Sequence, residues 1–548
     1  MRILRLWDVS RQARYAFQSN TSLVFKQGNH TKAYVTTPIY YVNAVPHIGH
    51  LYSTVLADTI RRHYALHGKQ VLMSTGTDEH GLKIQEAADK NNMKPIEFCD
   101  KVSESFKSLC KAANIGYTSF ERTTNKHHAI AVNELWNKLL KNGYLYKGKH
   151  EGWYAVSDEA FYASNLVQEV VDEKTGEKVM VSIESGKRVE WTTEENYKFK
   201  LSAFGDRLLE WIDQNPNAIV PSNRKNEVTS WIKAGLADLS VSRLRSRLDW
   251  GIPVPNDPEH TIYVWLDALT NYLTATGYPW NKDSKNKDFF PPDVQVVGKD
   301  IVRFHAIYWP AFLMAAELPL PKQILAHAHW TMGKQKMSKS LGNVADPFQV
   351  MKDYGVDPVR YYLVRDGGLA DDGDYSEEMI HTRYKKDLAG QLGNLLNRTT
   401  AKALIPNGVV PVKHDSVVEP SDELVHQKIA ELAENFDRAF ENREFSRAYT
   451  HVFDMLSQAN KHFTDNEPWN LVKKPEEKKR LDTVLFYSLE ACRIAGILLQ
   501  PVMPTKMERL LTRLGVSESD RYFKDACKLT QTERPLGEID SVLFPRLK

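Results

Sequence analysis

Tyr34-Val-Thr-Thr-Pro-Ile-Tyr-Tyr-Val-Asn-Ala-Val-Pro-His-Ile-Gly-His-Leu-Tyr52 passes from a β-prone run through a turn into a helix. Pro38 and Pro46 bracket the turn, and from Ile48 the apolar residues recur at Leu51, Val55, Leu56, Ile60 and Tyr64, which is helical spacing. His47 and His50 are therefore expected on the first turn of that helix, among backbone N–H groups with no helical partner and at the positive end of the dipole. Such a terminus suits a polyphosphate. The pattern His-x-Gly-His has few fixed positions, and a chain of this length shows it by chance about one time in fifteen.

The surrounding segments supply context. Gln70-Val-Leu-Met-Ser-Thr-Gly76 reads as a second strand, with Asp78 just past its carboxyl end. Strand, helix, strand is a right-handed parallel βαβ unit, whose ligands bind beyond the carboxyl ends of the strands. Residues 80–142 read mostly as helix, through Phe98, Val102, Phe106 and Leu109 and then Ile130, Leu135 and Leu139. From Gly143 to about Trp250 short β-prone runs alternate with turns, Lys178 to Ile183 being expected to pair with Arg188 to Trp191. This block reads as an insertion, because α/β patterning resumes after it. Thr261-Ile-Tyr-Val-Trp, Val294-Gln-Val-Val and Ile324-Leu-Ala-His fit buried parallel strands. A cationic loop bounded by Gly333 and Gly342 follows. From about Met379 the periodicity is helical, and the Pro-rich stretch from Ile405 to Val417 reads as a loop between helices.

The chain has 548 residues, too many for one core, and about three or four domains are expected. With 42% hydrophobic and 26% charged residues, and no apolar run near the roughly 18 residues of a membrane span, the composition is that of a globular protein and points to no membrane partner. A net charge of +3 permits a nucleic-acid partner without arguing for one. Cys99, Cys110, Cys492 and Cys527 form no Cys-x-x-Cys pair, so neither a thiolate zinc knuckle nor a redox motif is expected. The first 32 residues carry Arg2, Arg5, Arg11, Arg14, Lys26 and Lys32 against a single acid, Asp8, the composition of a mitochondrial transit peptide.

Lys336-Met337-Ser338-Lys339-Ser340 changes the weight of the histidine turn, since five specified residues arise by chance in about one of several thousand such chains. Together the two motifs resemble those of class I aminoacyl-tRNA synthetases. The flanking blocks, Tyr34 to Tyr41, Thr75-Gly-Thr-Asp-Glu-His-Gly81 and Tyr263-Val-Trp-Leu-Asp-Ala268, are similar to those of methionyl-tRNA synthetases of mitochondrial type, from about Tyr34 to Gln500. The resemblance implies a Rossmann-like parallel-sheet catalytic domain in two halves, 33–142 and 251–325, separated by a β-rich connective insertion, 143–250. A lysine-loop and stem-contact region, 326–385, and an all-α anticodon-binding bundle, 386–548, would follow, and 1–32 would be the transit peptide of a protein of the mitochondrial matrix.

The reaction so implied is attack of the methionine carboxylate on the α-phosphate of ATP, taken up with Mg2+, and transfer of the methionyl group to its tRNA. Anion meets anion, so positioning and cations carry the catalysis. By resemblance His47 and His50 contact the phosphates, Gly49 leaves room for the nucleotide, and Lys336 and Lys339 hold the departing pyrophosphate on a loop that closes over ATP, with Met337, Ser338 and Ser340 beside them. Gly298 and Asp300 would contact adenosine; on residue type alone they also suit a tight turn and a helix cap.

For the amino acid, the resemblance assigns the ammonium to Asp78, which also suits an N-cap for a helix starting near Glu79. Ile39, Tyr41, Val264, Trp265, Ala268, Tyr272, Ile301 and His305 would wall the thioether, although each suits a plain core, His305 included. Asn394, Arg398 and Trp469 resemble anticodon readers, Trp469 stacking on a splayed base. Where relatives carry a zinc knuckle this chain has Tyr154-Ala155-Val156-Ser157-Asp158, so no metal is expected there. With no recognisable dimerisation module, a monomer is expected. The rivals are another class I synthetase, disfavoured because the insertion is too short for an editing domain, and a catalytically idle synthetase-like protein that binds or helps to splice RNA.

Overall fold

The computed structural model describes residues 31–155, 160–162, 164–172, 176–183, 185–337, 344–538 and 541–547. The expected transit peptide, apart from its last residues, and Ser338, Lys339 and Ser340 lie outside the described residues.

The opening stretch forms strand β1 (Lys32–Tyr41) and helix α1 (Ile48–Leu66), and the chain returns through β2 (Gln70–Asp78). Helices α2 (Leu82–Lys90) and α3 (Pro95–Ala112) lead to a third strand, β3 (Ser119–Arg122), and α4 (Lys126–Lys141) follows. The central sheet is completed by β4 (Ile219–Val220), β5 (Val294–Gly298) and β6 (Ile324–His327), in the order β3-β2-β1-β5-β6-β4 with every pairing parallel. Order reverses between β1 and β5, the crevice where a ligand is expected in an open α/β sheet. The register of β1 against β2 shifts by one residue between Thr36 and Ile39. Pro38, which has no N–H for the ladder, lies in that bulge, so the residues after it are re-aimed at the sheet edge. Gly76 lies where β3 comes closest: a Cβ there would be 1.9 Å from the Glu121 carbonyl oxygen.

Three sequence expectations are revised. Lys178–Ser182 pairs antiparallel with Val167–Val171, and Arg188 makes only an isolated bridge to Val181; the chain from Glu190 to Phe199 instead pairs along Leu145–Ala155. The long alternating partner strand outcompetes the short hairpin. The run at Thr261 ends an antiparallel strand, Asp257–Ile262, outside the central sheet, and Val264 already begins a helix, α5 (Val264–Leu269). The stretch 143–250 is not one unbroken insertion, because β4 lies within it and forms the edge of the central sheet.

Beyond the sheet, α6 (Val356–Asp366) packs on α1 and leads into a helical bundle that includes α7 (Pro420–Glu441), α8 (Phe445–Asp465) and α9 (Lys478–Leu499). Every residue of α9 from Arg480 to Leu499 is buried, as expected of a central helix. The last forty or so residues add to the bundle: Arg534–Pro535 pairs with Val409–Val410, and Leu543 and Phe544 are buried. Sheet and bundle share one apolar core and are pinned by an ion pair. Asp58 of α1 meets Arg360 of α6 at 2.7 Å, both fully buried, and Arg360 also donates to the carbonyls of Ala113, Pro501 and Val502. Burial alone would raise the Asp58 carboxyl, but the guanidinium charges beside it, Arg360 first, hold it well below the usual carboxylate range. Among the described residues no helix is long and apolar enough to cross a membrane.

Candidate functional site

The histidine turn is built as a capping box. His47 is the N-cap of α1; its Nδ1 accepts the Gly49 N–H at 3.1 Å, and His50 Nδ1 accepts the His47 N–H at 3.1 Å. With both Nδ1 atoms acting as acceptors, a neutral ring carries its proton on Nε2, so both imidazoles are N–H donors away from the backbone. The two rings stack with centroids 3.8 Å apart, and Tyr40 and Phe106 meet the His50 ring edge-on. Tyr40 in turn is fixed by its hydroxyl to Thr54 at 2.7 Å. A Cβ on Gly49 would lie 3.0 Å from the His47 ring, so a side chain there would disturb the cap.

This turn borders a cavity of about 340 Å³ at the carboxyl edge of the sheet. Of the residues singled out from sequence, His47, Gly49, His50, Gly298, Asp300 and Met337 line it on one side. Ile39, Tyr41, Asp78, Trp265, Ala268, Tyr272, Ile301 and His305 line it on the other. Val264 does not: it is 2% exposed, in the core beneath. The side chain of Lys336 lies outside the described residues, as do Ser338, Lys339 and Ser340. Strands Trp330–Met332 and Gln335–Lys336 form a hairpin on a two-residue turn, Gly333 and Lys334, both with φ of 61°. Such a primed turn fits the twist of paired strands, and it brings the chain back to the cavity at Met337.

The apolar end is held rigid. Tyr272 donates its hydroxyl proton to His305 Nε2 at 2.7 Å, and His305 Nδ1 donates to the Ile301 carbonyl at 3.0 Å. Burial lowers the His305 imidazole to about 4, so the ring is neutral at physiological pH. His305 lies in a π-helical turn, Phe304–Tyr308, and Trp265 stacks on Phe304 at 3.4 Å with planes 9° apart. Asp78 caps no helix, since α2 begins at Leu82 with Gly81 as its N-cap. The turn after it is fixed from below: His80 Nδ1 is 2.6 Å from one Asp267 oxygen and His128 Nε2 is 2.7 Å from the other. Asp267 thus ties the turn after Asp78 to α5, which carries Trp265 and Ala268.

Sequence reasoning missed a polar cluster beside the histidine turn. Ser53, one turn along α1 from Gly49, is 2.7 Å from His327 Nε2, and His327 Nδ1 donates to the Ala328 carbonyl. Burial lowers His327 to about 4 as well. Asp300 is 3.1 Å from His329 Nε2, the His329 backbone N–H donates to Asp372, and Lys299 pairs with Asp372 at 2.7 Å. The cleft walls take some water from Asp300, yet the hydrogen bond from His329 holds its carboxyl below the ordinary range. The short strand-end sequence Ala326-His-Ala-His-Trp330 was the available signal: polar residues inside an apolar run at the carboxyl edge of a strand.

Far from the cavity, Arg398 lies over the Phe463 ring at 4.5 Å and the Trp469 ring at 5.6 Å. Trp469 is 39% exposed, and Glu467 before it has a left-handed φ of 43°, unusual for a non-glycine. Asn394 is exposed one helical turn before Arg398. These three residues therefore share one face of the bundle.

Comparisons with known proteins agree with this architecture. The family model described as tRNA synthetases class I (M) matches residues 33–400, and that for the anticodon binding domain of methionyl tRNA ligase matches 412–544. A probable mitochondrial methionine–tRNA ligase of Neurospora crassa is 46% identical over 90% of this chain and 81% of its own length. The mitochondrial methionine–tRNA ligase of Homo sapiens is 44% identical over 94% and 91%. Among solved structures, Mycobacterium tuberculosis methionyl-tRNA synthetase in complex with methionyl-adenylate superposes with a TM-score of 0.88 at 39% identity, covering 94% of this chain and all of that one.

Proposed function

Given that the chain belongs to the class I methionyl-tRNA synthetase family and so activates methionine with ATP and ligates it to tRNA, we propose how its own residues divide that work. The observation that carries the proposal is one cavity shared by a histidine-capped helix terminus and a rigid, largely apolar pocket with Asp78 in its wall. ATP lies along the end of α1 with its phosphates toward His47 and His50, adenosine toward Gly298 and Asp300, and the Lys336 to Ser340 loop over the pyrophosphate. Methionine takes the other end. Asp78 receives its ammonium, and Ile39, Tyr41, Trp265, Ala268, Tyr272, Ile301 and His305 surround the thioether.

In the step itself a methionine carboxylate oxygen bonds to the α-phosphorus and the bond to the bridging oxygen of pyrophosphate breaks. Charge building on the transferring phosphoryl oxygens is met by the Nε2–H groups of His47 and His50, fixed before the substrate arrives and requiring no reorganisation. They are clamps, not general bases. Magnesium would be taken up with ATP and would neutralise its phosphates, while Asp300, bonded to His329, stays on the adenosine side. The β-rich block is assigned no zinc, since buried Ala155 stands in place of a ligand and the cysteines lie elsewhere. Trp469, Arg398 and Asn394 read the anticodon, and the protein works as a monomer in the mitochondrial matrix, in keeping with its mitochondrial relatives and its basic N-terminal segment. The matched relatives lend no support to a catalytically idle RNA-binding role.

Two substitutions test the assignment. Asp78→Asn keeps the shape but removes the charge that meets the ammonium, and a lost charge-assisted pair of this kind costs about 2 kcal/mol or more. Methionine-dependent exchange of pyrophosphate into ATP is then expected to show a methionine KM about 30-fold or more higher with the KM for ATP unchanged. An unaltered methionine KM removes Asp78 from the site. Trp469→Ala is expected to leave that exchange intact and to raise the KM for tRNA by the loss of about 1–3 kcal/mol of base stacking. Equal charging efficiency would assign the tryptophan to bundle packing.

A further inference from the structure

At the end of α1 opposite the histidine turn, two helices present ligand-type side chains to each other. His63 and His67 lie one turn apart on α1, and Asp437 and Glu441 one turn apart on α7, so each pair projects from one helix face. His63 Nε2 is 3.1 Å from Asp437 Oδ1 and 3.6 Å from Glu441 Oε1, and His67 Nε2 is 3.0 Å from the same Asp437 oxygen. One donor atom from each of His63, His67 and Asp437 lies within 4.8 Å of the other two. Ligands held at about 2.0–2.2 Å around a tetrahedral ion stand roughly 3.3 Å apart, and the three contacts cluster around that edge length.

We propose that His63, His67, Asp437 and Glu441 form a binding site for a divalent transition-metal ion of the zinc class, which clamps the catalytic domain to the helical bundle. A second observation separates the cluster from an ordinary ionic contact. The His63 side chain is fully buried, yet neither of its ring nitrogens makes a hydrogen bond of proper geometry, although Nε2 points at two carboxylates. A buried imidazole left in that condition is costly, and coordination of Nε2 removes much of the cost. The rings are also held in place: His63 stacks on Phe440 at 3.9 Å and His67 on Phe523 at 4.2 Å. Two neutral imidazoles and two carboxylates neutralise a dication and form a donor set suited to zinc and unlike the all-oxygen shells of magnesium or calcium. His67 and Asp437 remain partly exposed, leaving an entry path.

The position sets the role. His63 follows Ile48 by fifteen residues of helix, about 22 Å, so the ion cannot touch the reacting atoms; it would join the helix that carries His47 and His50 to the first long helix of the bundle. The test is titration of the untagged full-length chain, first dialysed against a chelator, with Co2+ alone as probe. One equivalent per chain is expected, with visible d–d absorption of a low-coordinate site and an upward shift of the melting temperature. His67→Ala and Asp437→Asn should each weaken uptake about 100-fold or more and abolish the melting shift, while keeping the far-ultraviolet circular dichroism and methionine-dependent exchange of the unsubstituted protein. Absence of a stoichiometric cobalt spectrum overturns the proposal, and so does a spectrum that persists in both variants. If His67→Ala fails to fold, the exposed Glu441→Gln serves as a further variant: weaker uptake supports the site, and unchanged uptake in it and in Asp437→Asn refutes it.

Discussion

His50→Ala is expected to slow methionyl-adenylate formation by about 100- to 1,000-fold while changing the dissociation constant for methionine little. The imidazole makes its contact where charge develops, at the phosphates, and only a contact stronger in the transition state than in the ground state appears in the rate. Losing its bond to the His47 N–H removes half of a capping box, a cost of about 1 kcal/mol in stability, and the contacts of the ring with His47, Tyr40 and Phe106 are lost with it; equilibrium unfolding separates that structural cost from the kinetic loss. Pre-steady-state measurement of adenylate formation, with equilibrium binding of methionine, separates the two. A full-rate enzyme with weakened methionine binding would contradict the clamp.

Arg360→Met is expected to destabilise the protein by about 3–5 kcal/mol, because buried Asp58 keeps only Arg61 and Arg62 of its three guanidinium partners and the buried carbonyls of Ala113, Pro501 and Val502 lose their donor. Asp58→Asn should act in the same direction. Asp58→Leu and Arg360→Met together are expected to recover little of the loss, since Arg61, Arg62 and the Gly116 N–H lose their acceptor and the carbonyls of Ala113, Pro501 and Val502 their donor. The pH dependence has a definite sign. The folded-state carboxyl of Asp58 is depressed, so its contribution is present above the unfolded value near 4 and is lost as pH falls toward the folded value. Urea midpoints measured between about pH 5 and pH 2 should decline in the unsubstituted protein and decline less in Asp58→Asn. Equal declines would remove Asp58 from the linkage.

Much of the site was legible because it is encoded locally. His47, Gly49 and His50 form a cap within four residues, Asp78 and Gly298 end buried strands, and Asp300 follows in the turn after Gly298. What eluded the sequence depends on partners far along the chain. The two-residue strand Ile219–Val220 has too few residues for any periodicity, and only its pairing with Ile324 and Leu325, about a hundred residues on, makes it part of the sheet. Thr261 to Trp265 has the apolar content of a parallel strand, yet its neighbours are antiparallel strands, and register with them cannot be read from one segment. Val264 illustrates a limit of carrying a motif over residue by residue: it sits in the right block but faces the core. The His63, His67, Asp437 and Glu441 cluster was equally hidden, since its two helical pairs are some 370 residues apart.

The most direct test of the account is exchange of labelled pyrophosphate into ATP by the purified chain, with each of the twenty amino acids supplied separately, alongside His47→Ala and His50→Ala. A cavity with a thioether pocket at one end and a histidine clamp at the other predicts exchange with methionine well above every other amino acid, reduced by about 100-fold or more in each histidine variant. Exchange supported equally by a branched amino acid, or methionine-dependent exchange undiminished in both variants, would contradict it.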